Sequence, residues 1–171
     1  MKLETLVLGS LDNNCYILTK DKFALVIDPS CEVNKILKAI GKKELLGILV
    51  THHHQDHIGA LQELIENTKA EVYNFDAGYQ HIGPFNFEVI ETKGHTEDSK
   101  TFYFKDENFM FTGDFLFKES IGRTDFMGGS MKEMLKSIEL IKKYDDCLVY
   151  PGHGPSTTLE YEKQNNGFFS M

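Results

Sequence analysis

Histidine and aspartate side chains are concentrated in one short segment of the chain. Residues 51–57 read Thr-His-His-His-Gln-Asp-His and place four candidate metal ligands within six residues, directly after an apolar run. Residues two apart on extended backbone point the same way, so His52 and His54 can share one metal. Asp56 and His57 lie where the chain is expected to turn into a helix, and they can face a second metal. Imidazole and carboxylate suit zinc, and would also suit iron or manganese.

Three further candidates lie far from this segment in sequence. His95, Asp114 and His153 each follow a predicted strand and stand beside a glycine. Backbone can approach a cofactor closely at glycine, and functional residues gather on loops at strand ends. Chance is a poor explanation for three such placements, so we predict one metal centre. Its ligands are His52, His54, Asp56, His57, His95, Asp114 and His153.

The rest of the sequence must supply the elements that bring these residues together. Segments 2–8, 14–19 and 23–28 predict an antiparallel meander, and Ser30 is the predicted N-cap of a helix that stops at Gly41. Further strands are predicted at 45–50, 70–74, 85–92, 101–105, 108–112 and 148–150, and further helices from near residue 57, at 131–143 and at 159–165. Two groups of strands with helices outside both predict a four-layer α/β sandwich, with residues 1–171 as one domain.

The ligand pattern resembles that of the metallo-β-lactamase superfamily. The matching motifs are His-x-His-x-Asp-His at 52–57, Gly-His-Thr at 94–96, Thr-Gly-Asp at 112–114 and Gly-His-Gly at 152–154. The resemblance implies an αββα sandwich with two divalent metal ions, for which zinc is the expected metal, at one edge. It also implies how the ligands divide: His52, His54 and His95 for the first metal, Asp56, His57 and His153 for the second, and Asp114 as the bridge.

Within this superfamily the chain is most similar to short glyoxalase II-like hydrolases. His53, between the first two ligands, and the stretch 120–125 carry that likeness, whereas Glu97 and Asp98 stand where the family usually has Pro-Gly. The resemblance implies a metal-dependent hydroxyacylglutathione hydrolase-like thioesterase acting on thioesters such as S-lactoylglutathione. A metal-bound hydroxide would attack the carbonyl carbon, with Asp56 and Asp114 as catalytic residues. The helical domain with which glyoxalase II helps to bind glutathione has no counterpart here, so thioester chemistry is better supported than any thiol carrier.

An oxidoreductase is the competing interpretation. Persulfide dioxygenases resemble the chain as well, including Gly-Arg-Thr-Asp-Phe at 122–126. The likeness implies a single iron held by His52, His95 and Asp114, acting on glutathione persulfide. Metal occupancy separates the two interpretations, and the sequence leaves it open.

Substrate-binding candidates are fewer. Arg123 is the only arginine, and it could either grip a substrate carboxylate or form a structural salt bridge. Phe115 and Phe126 are the aromatic residues best placed by sequence to line a substrate groove. His81 is expected at the surface, and Asp28 is expected to brace the ligand loop through hydrogen bonds.

Composition limits the partners. The 171 residues carry a formal net charge of -8, which disfavours a nucleic-acid partner and docking on anionic membranes. The small-molecule thioester substrate is what the family resemblance implies. Three widely spaced cysteines, no signal peptide and no long apolar run predict a cytoplasmic protein. The oligomeric state is not indicated by the sequence.

Overall fold

The first half of the chain forms a five-stranded mixed sheet. In this computed structural model, which describes residues 1–171, the strand order is β1-β2-β3-β4-β5. The first three strands pair antiparallel, as predicted, whereas β3, β4 and β5 run parallel because helices connect them. The elements are β1 (Lys2–Leu8), β2 (Asn13–Lys20), β3 (Phe23–Ile27), α1 (Val33–Ile40), β4 (Glu44–Leu49), α2 (Gln55–Ile58), α3 (Leu61–Thr68) and β5 (Glu71–Val72).

The second half forms a six-stranded sheet with the order β13-β12-β9-β8-β7-β6 and a small β10-β11 hairpin. Strands β6 to β9 are an antiparallel meander, and β12 joins β9 in parallel after α4 crosses over. The elements are β6 (Gly78–Ile82), β7 (Phe85–Glu91), β8 (Lys100–Phe104), β9 (Phe109–Gly113), β10 (Leu116–Phe117), β11 (Ser120–Ile121), α4 (Met131–Ile141), β12 (Leu148–Pro151), β13 (Thr157–Thr158) and α5 (Leu159–Asn165). Short 3-10 turns occupy Lys105–Glu107 and Gly167–Ser170.

Three apolar clusters define four layers. One cluster lies between the first sheet and α1 and α3, and another lies between the two sheets, where Phe85, Phe102 and Phe111 pack. The third fills the space between the second sheet and the C-terminal helices, around Met134 and Ile138. This arrangement confirms the αββα sandwich. No helix has the length and apolar character needed to cross a membrane.

Several local predictions were wrong. Ser30 does not cap α1: the capping position is Glu32, in a left-handed conformation (φ 53°), and Ser30 is buried upstream of it. The helix expected from near His57 is split into α2 and α3, and at the break Ala60 N donates to the Pro29 carbonyl (3.0 Å). Gly59 packs there against the Ser30 carbonyl, where a Cβ would come within 2.3 Å. Strand β6, the β10-β11 hairpin and β13 were not predicted, since short strands carry little periodic signal.

Candidate metal centre

The predicted ligands come from five different places in the fold and meet at one edge of the two sheets. His52 and His54 follow β4, Asp56 and His57 lie in α2, and His95, Asp114 and His153 follow β7, β9 and β12. Backbone hydrogen bonds tie these loops together, from Lys100 N to Thr51 O (2.8 Å) and from Gly152 N to Gly113 O (2.8 Å). These two bonds join the segment after β4 to β8 and the segment after β12 to β9.

The donor atoms of these side chains fall into compact groups. Atoms within 4.8 Å of one another come from three sets: His52, His54 and His95; His52, His57 and Asp114; Asp56, His57 and His153. The first and third sets are the two ligand triads implied by the family resemblance. Asp114 lies between them, with Oδ1 3.2 Å from His57 Nε2 and Oδ2 3.6 Å from both His95 Nε2 and His153 Nε2. All seven residues are thus brought together, and metal binding by them stays a prediction.

Three buried polar atoms in this cluster, each able to coordinate a metal, lack a hydrogen-bond partner. They are Nε2 of His52, Nε2 of His57 and Oδ1 of Asp114. The last two approach each other to 3.2 Å without hydrogen-bond geometry. Buried polar atoms are nearly always satisfied, and such orphans call for an ion or a ligand. A divalent cation fits, because each atom can offer it a lone pair.

Hydrogen bonds on the far side of the imidazoles fix which nitrogen carries the proton. Nδ1–H of His95 donates to the Arg123 carbonyl (2.7 Å), and Nδ1–H of His153 donates to the Leu11 carbonyl (2.9 Å). A carbonyl oxygen can only accept, so Nε2 of each ring keeps its lone pair for the centre. This is the usual way in which an outer hydrogen bond orients a metal-binding histidine.

Asp28 links two of the ligand-bearing segments. Its Oδ1 accepts from Thr51 N (2.7 Å), and its Oδ2 accepts from Thr51 Oγ1 (2.6 Å) and from Nδ1–H of His57 (2.9 Å). Thr51 Oγ1 in turn lies 3.1 Å from Nδ1 of His52. Asp28 is 2% exposed, so these bonds are shielded from water. The predicted bracing role of Asp28 is confirmed.

The protein's own charges favour a cation at this position. For His57, burial acts to lower the pKa, but the carboxylates of Asp114 and Asp28 outweigh it and raise the pKa to about 10. Positive charge is therefore stabilised between these two carboxylates, and a bound divalent ion would supply it instead of a proton.

Three of the other predicted ligands, His52, His95 and Asp56, have shifted pKa values that favour the metal-binding form. Burial, followed by the neighbouring imidazoles, lowers the pKa of His52 far below its ordinary value. Burial also lowers the pKa of His95. For Asp56, burial acts to raise the pKa, but the hydrogen bond from Asn13 and the charges of His57 and His153 bring it below its ordinary value. Neutral imidazoles beside an ionised carboxylate are the forms in which these groups coordinate a metal.

Two glycines are needed for the close approach of the loops. A Cβ on Gly152 would lie 2.3 Å from Asp114 Oδ1 and 2.6 Å from His57 Cε1. A Cβ on Gly122 would lie 1.8 Å from the Asp114 carbonyl oxygen. Any larger residue at either position would displace Asp114, so backbone packing helps to define the centre.

The remaining sequence candidates divide into surface and core positions. His53 is exposed and pairs with Asp98, which joins the ligand segment to the His95 loop, and His81 is exposed on β6. Phe115 was predicted to line the substrate groove, and this was wrong. It is fully buried (0% exposed) in the cluster beneath α4 and cannot touch a substrate. Phe126 does border the centre, with its ring 6.0 Å from that of His54.

Arg123 forms a salt bridge with Asp125, which is one of the two roles that the sequence allowed for it. Its Nε and Nη2 donate to the two carboxylate oxygens of Asp125 (2.9 and 2.8 Å). Its guanidinium also stacks on the Phe126 ring, 4.2 Å from the centroid. The side chain is 64% exposed, so this pair is worth little in stability, and a substrate could open it.

The β1–β2 turn also contributes to the site, and the sequence analysis missed it. Asn13 Nδ2 donates to Asp56 Oδ2 (2.9 Å), and Leu11 supplies the carbonyl that orients His153. Asn13 and Asn14 are both buried, at 3% and 4% exposed. In the sequence they look like ordinary turn residues, and no local pattern distinguishes a buried asparagine from an exposed one.

Comparison with known proteins agrees with this geometry. The model of the metallo-beta-lactamase superfamily matches residues 8–85 and 80–153. The chain is 35% identical over 207 residues to "Probable metallo-hydrolase YqgX" of Bacillus subtilis, with 99% of this chain and 98% of the relative covered. It is 28% identical to "Hydroxyacylglutathione hydrolase GloC" of Haemophilus influenzae, with 99% of each covered. The chain therefore belongs to the metallo-β-lactamase superfamily of metal-dependent hydrolases.

Solved structures show the same fold. The BLEG-1 B3 metallo-beta-lactamase superposes with a TM-score of 0.94 at 29% identity, over 99% of this chain and 100% of that chain. TTHA1623, solved in a di-iron-bound form, superposes with a TM-score of 0.88 at 29% identity, over 96% of this chain and 99% of that chain. ETHE1 from Myxococcus xanthus superposes with a TM-score of 0.90 at 30% identity, over 98% of this chain and 84% of that chain. These neighbours share the architecture, and their names differ.

Proposed function

We propose that the protein is a binuclear metal-dependent hydrolase of thioesters, of the kind represented by S-lactoylglutathione. The observation that carries the proposal is a group of three buried polar atoms that lack a hydrogen-bond partner. They are Nε2 of His52, Nε2 of His57 and Oδ1 of Asp114. The relative named hydroxyacylglutathione hydrolase, similar over nearly its whole length, supports this substrate class.

The chain offers a complete ligand set for two metals. His52, His54 and His95 would hold the first, Asp56, His57 and His153 would hold the second, and Asp114 would serve both. Two divalent ions in such a set lower the pKa of water toward 7 and polarise a carbonyl group. Zinc suits the imidazole-rich donors, and iron is the competing choice, since a structural neighbour was solved with two irons.

The protein's own residues prepare one face of the centre for a substrate. Asp56 and His153 are each 27% exposed and Asp114 is 12% exposed, whereas His52 and His57 are buried beneath them. Asn13 holds the Asp56 carboxylate through its Oδ2, so that the other oxygen stays available to orient a water molecule. The thiolate released from a thioester is a good leaving group and requires no general acid.

The setting we propose is the cytoplasm, with a small-molecule partner. Cys15, Cys31 and Cys147 are all free thiols, which suits a reducing compartment. The net charge of -8 argues against nucleic acid as the substrate.

Elemental analysis and S-lactoylglutathione hydrolysis, measured on the same purified sample, test the proposal. Two metals per chain together with turnover would support it. One iron per chain, with oxygen uptake on glutathione persulfide and no thioester hydrolysis, would replace it with the dioxygenase interpretation. His153→Ala should weaken only the second metal, and His81→Ala is the matched control because His81 is an exposed histidine outside the centre. Loss of only the first metal in His153→Ala would overturn the ligand division.

A further inference from the structure

An open cavity of about 610 Å³ lies against the metal centre. Its walls combine ligands with apolar side chains: Leu11, His54, Gln55, Asp56, His95, Asp114, Phe126 and Met127. Leu11, Phe126 and Met127 are 62%, 45% and 98% exposed. Single exposed apolar residues are ordinary on a protein surface, but these three line one cavity together with four of the predicted metal ligands.

These apolar residues come from two segments that meet at the centre. Leu11 lies in the β1–β2 turn, where its carbonyl accepts from His153. Phe126 stands 6.0 Å from the ring of His54 and 6.4 Å from that of His95. An apolar group resting on these side chains therefore lies within a few ångströms of the ligands. The surface is thus placed to hold part of a substrate whose reacting carbon is at the centre.

We propose that the substrate is a thioester with an apolar acyl chain, and that this chain packs on Leu11, Phe126 and Met127. The inference rests on the proposed thioester hydrolysis. In that reaction a water oxygen bonds to the acyl carbon, the carbon–sulfur bond breaks, and the products are a carboxylate and a thiol. One proton of the water ends on the thiol and the other is released to solvent as the carboxylic acid ionises, so no other reactant is required.

Acyl-chain length is the direct test. With N-acetylcysteamine as the neutral carrier, kcat/KM of the metal-loaded enzyme should rise roughly twofold to fourfold per methylene from acetyl to hexanoyl, the upper value corresponding to full burial. Leu11→Ser and Met127→Ser should each lower the hexanoyl-to-acetyl ratio. Leu148→Ser should leave that ratio unchanged, because Leu148 is an exposed leucine (43%) on β12 that does not line the cavity. Hydrolysis with no dependence on chain length would overturn the inference and leave the proposed function standing.

Binding of thioethers, which cannot be hydrolysed, separates the two proposals. By titration calorimetry, S-hexyl-N-acetylcysteamine should bind about tenfold or more tighter than the S-methyl compound. Equal affinity for the hexyl and methyl compounds would refute the apolar subsite. Chain-length-dependent binding without hydrolysis of any thioester would keep the subsite and refute the thioester chemistry.

Discussion

Replacing Asp28 by asparagine tests whether its hydrogen bond to His57 Nδ1 leaves His57 Nε2 free to bind the second metal. The substitution keeps the shape of the side chain but turns one carboxylate oxygen into an NH2 group and removes the charge. If the remaining oxygen keeps its bond to Thr51 N, the NH2 group faces Thr51 Oγ1 and His57 Nδ1. Thr51 can rotate its hydroxyl and accept, but Nδ1–H of His57 cannot donate to another donor. The proton must then move to Nε2, the atom predicted to bind metal.

The size of the effect follows from these contacts. Loss of an outer hydrogen bond to a metal-binding histidine typically costs tenfold to a hundredfold in metal affinity. At 1.4 kcal/mol per tenfold change, this is about 1.4–2.8 kcal/mol. The charge-assisted bonds to Thr51 are weakened as well, and bonds to charged groups contribute about 1.5–3 kcal/mol each. We therefore expect Asp28→Asn to lower both the affinity for the second metal and the melting temperature of the protein.

Stepwise metal titration against a chromophoric chelator measures both affinities, and calorimetry gives the melting temperature. Asp146→Asn is the control, because Asp146 is an exposed aspartate that accepts a backbone N–H of Glu160 (2.9 Å) far from the centre. If Asp28→Asn binds its second metal within about twofold of the unmodified protein, the tautomer argument is refuted.

Three other substitutions test separate parts of the structure. Asp114→Ala should lower the content of both metals and abolish turnover, and full occupancy of both in elemental analysis would show that Asp114 does not bridge them. Gly152→Ala places a Cβ 2.3 Å from Asp114 Oδ1 and should lower kcat at least about tenfold, a loss of 1.4 kcal/mol in transition-state stabilisation; Gly167→Ala, where a Cβ would meet nothing within 4 Å, should be silent. Glu162→Ala removes a fully buried carboxylate that accepts three hydrogen bonds, and urea denaturation should show a loss of about 2–4 kcal/mol. Glu160 is exposed on the same helix, so Glu160→Ala should lower the free energy of unfolding far less. Equal losses in the two variants would contradict this role for Glu162.

Much of the site could be predicted because its signals are local. His52 and His54 are two residues apart on extended backbone, so the sequence itself indicates that they face the same way. The position of Asp114 directly after an apolar strand likewise indicates a sheet edge. The helical periodicity at 131–143 and 159–165 agrees with α4 and α5 within two residues.

The environment of those ligands depends on segments that are distant in sequence. Asn13 contacts Asp56 across 43 residues, and the Leu11 carbonyl orients His153 across 142. Hydrogen bonds of this kind leave no periodic pattern in the chain, because they depend on how the two sheets pack. The orphaned Nε2 and Oδ1 atoms, and the exposed Met127 beside the cavity, were visible only in the structure for the same reason.

Phe115 and Phe126 illustrate the difference between what the sequence determined and what the tertiary structure decided. The sequence by itself determined that both are large apolar residues on the segment after Asp114, and it gave them the same expected role. Tertiary structure decided between them: the β10-β11 hairpin reverses the chain, so that Phe115 is buried beneath α4 and Phe126 borders the metal centre. Residue type and local spacing indicated the candidate ligands, whereas the route of the chain through space determined which side chains a substrate can reach.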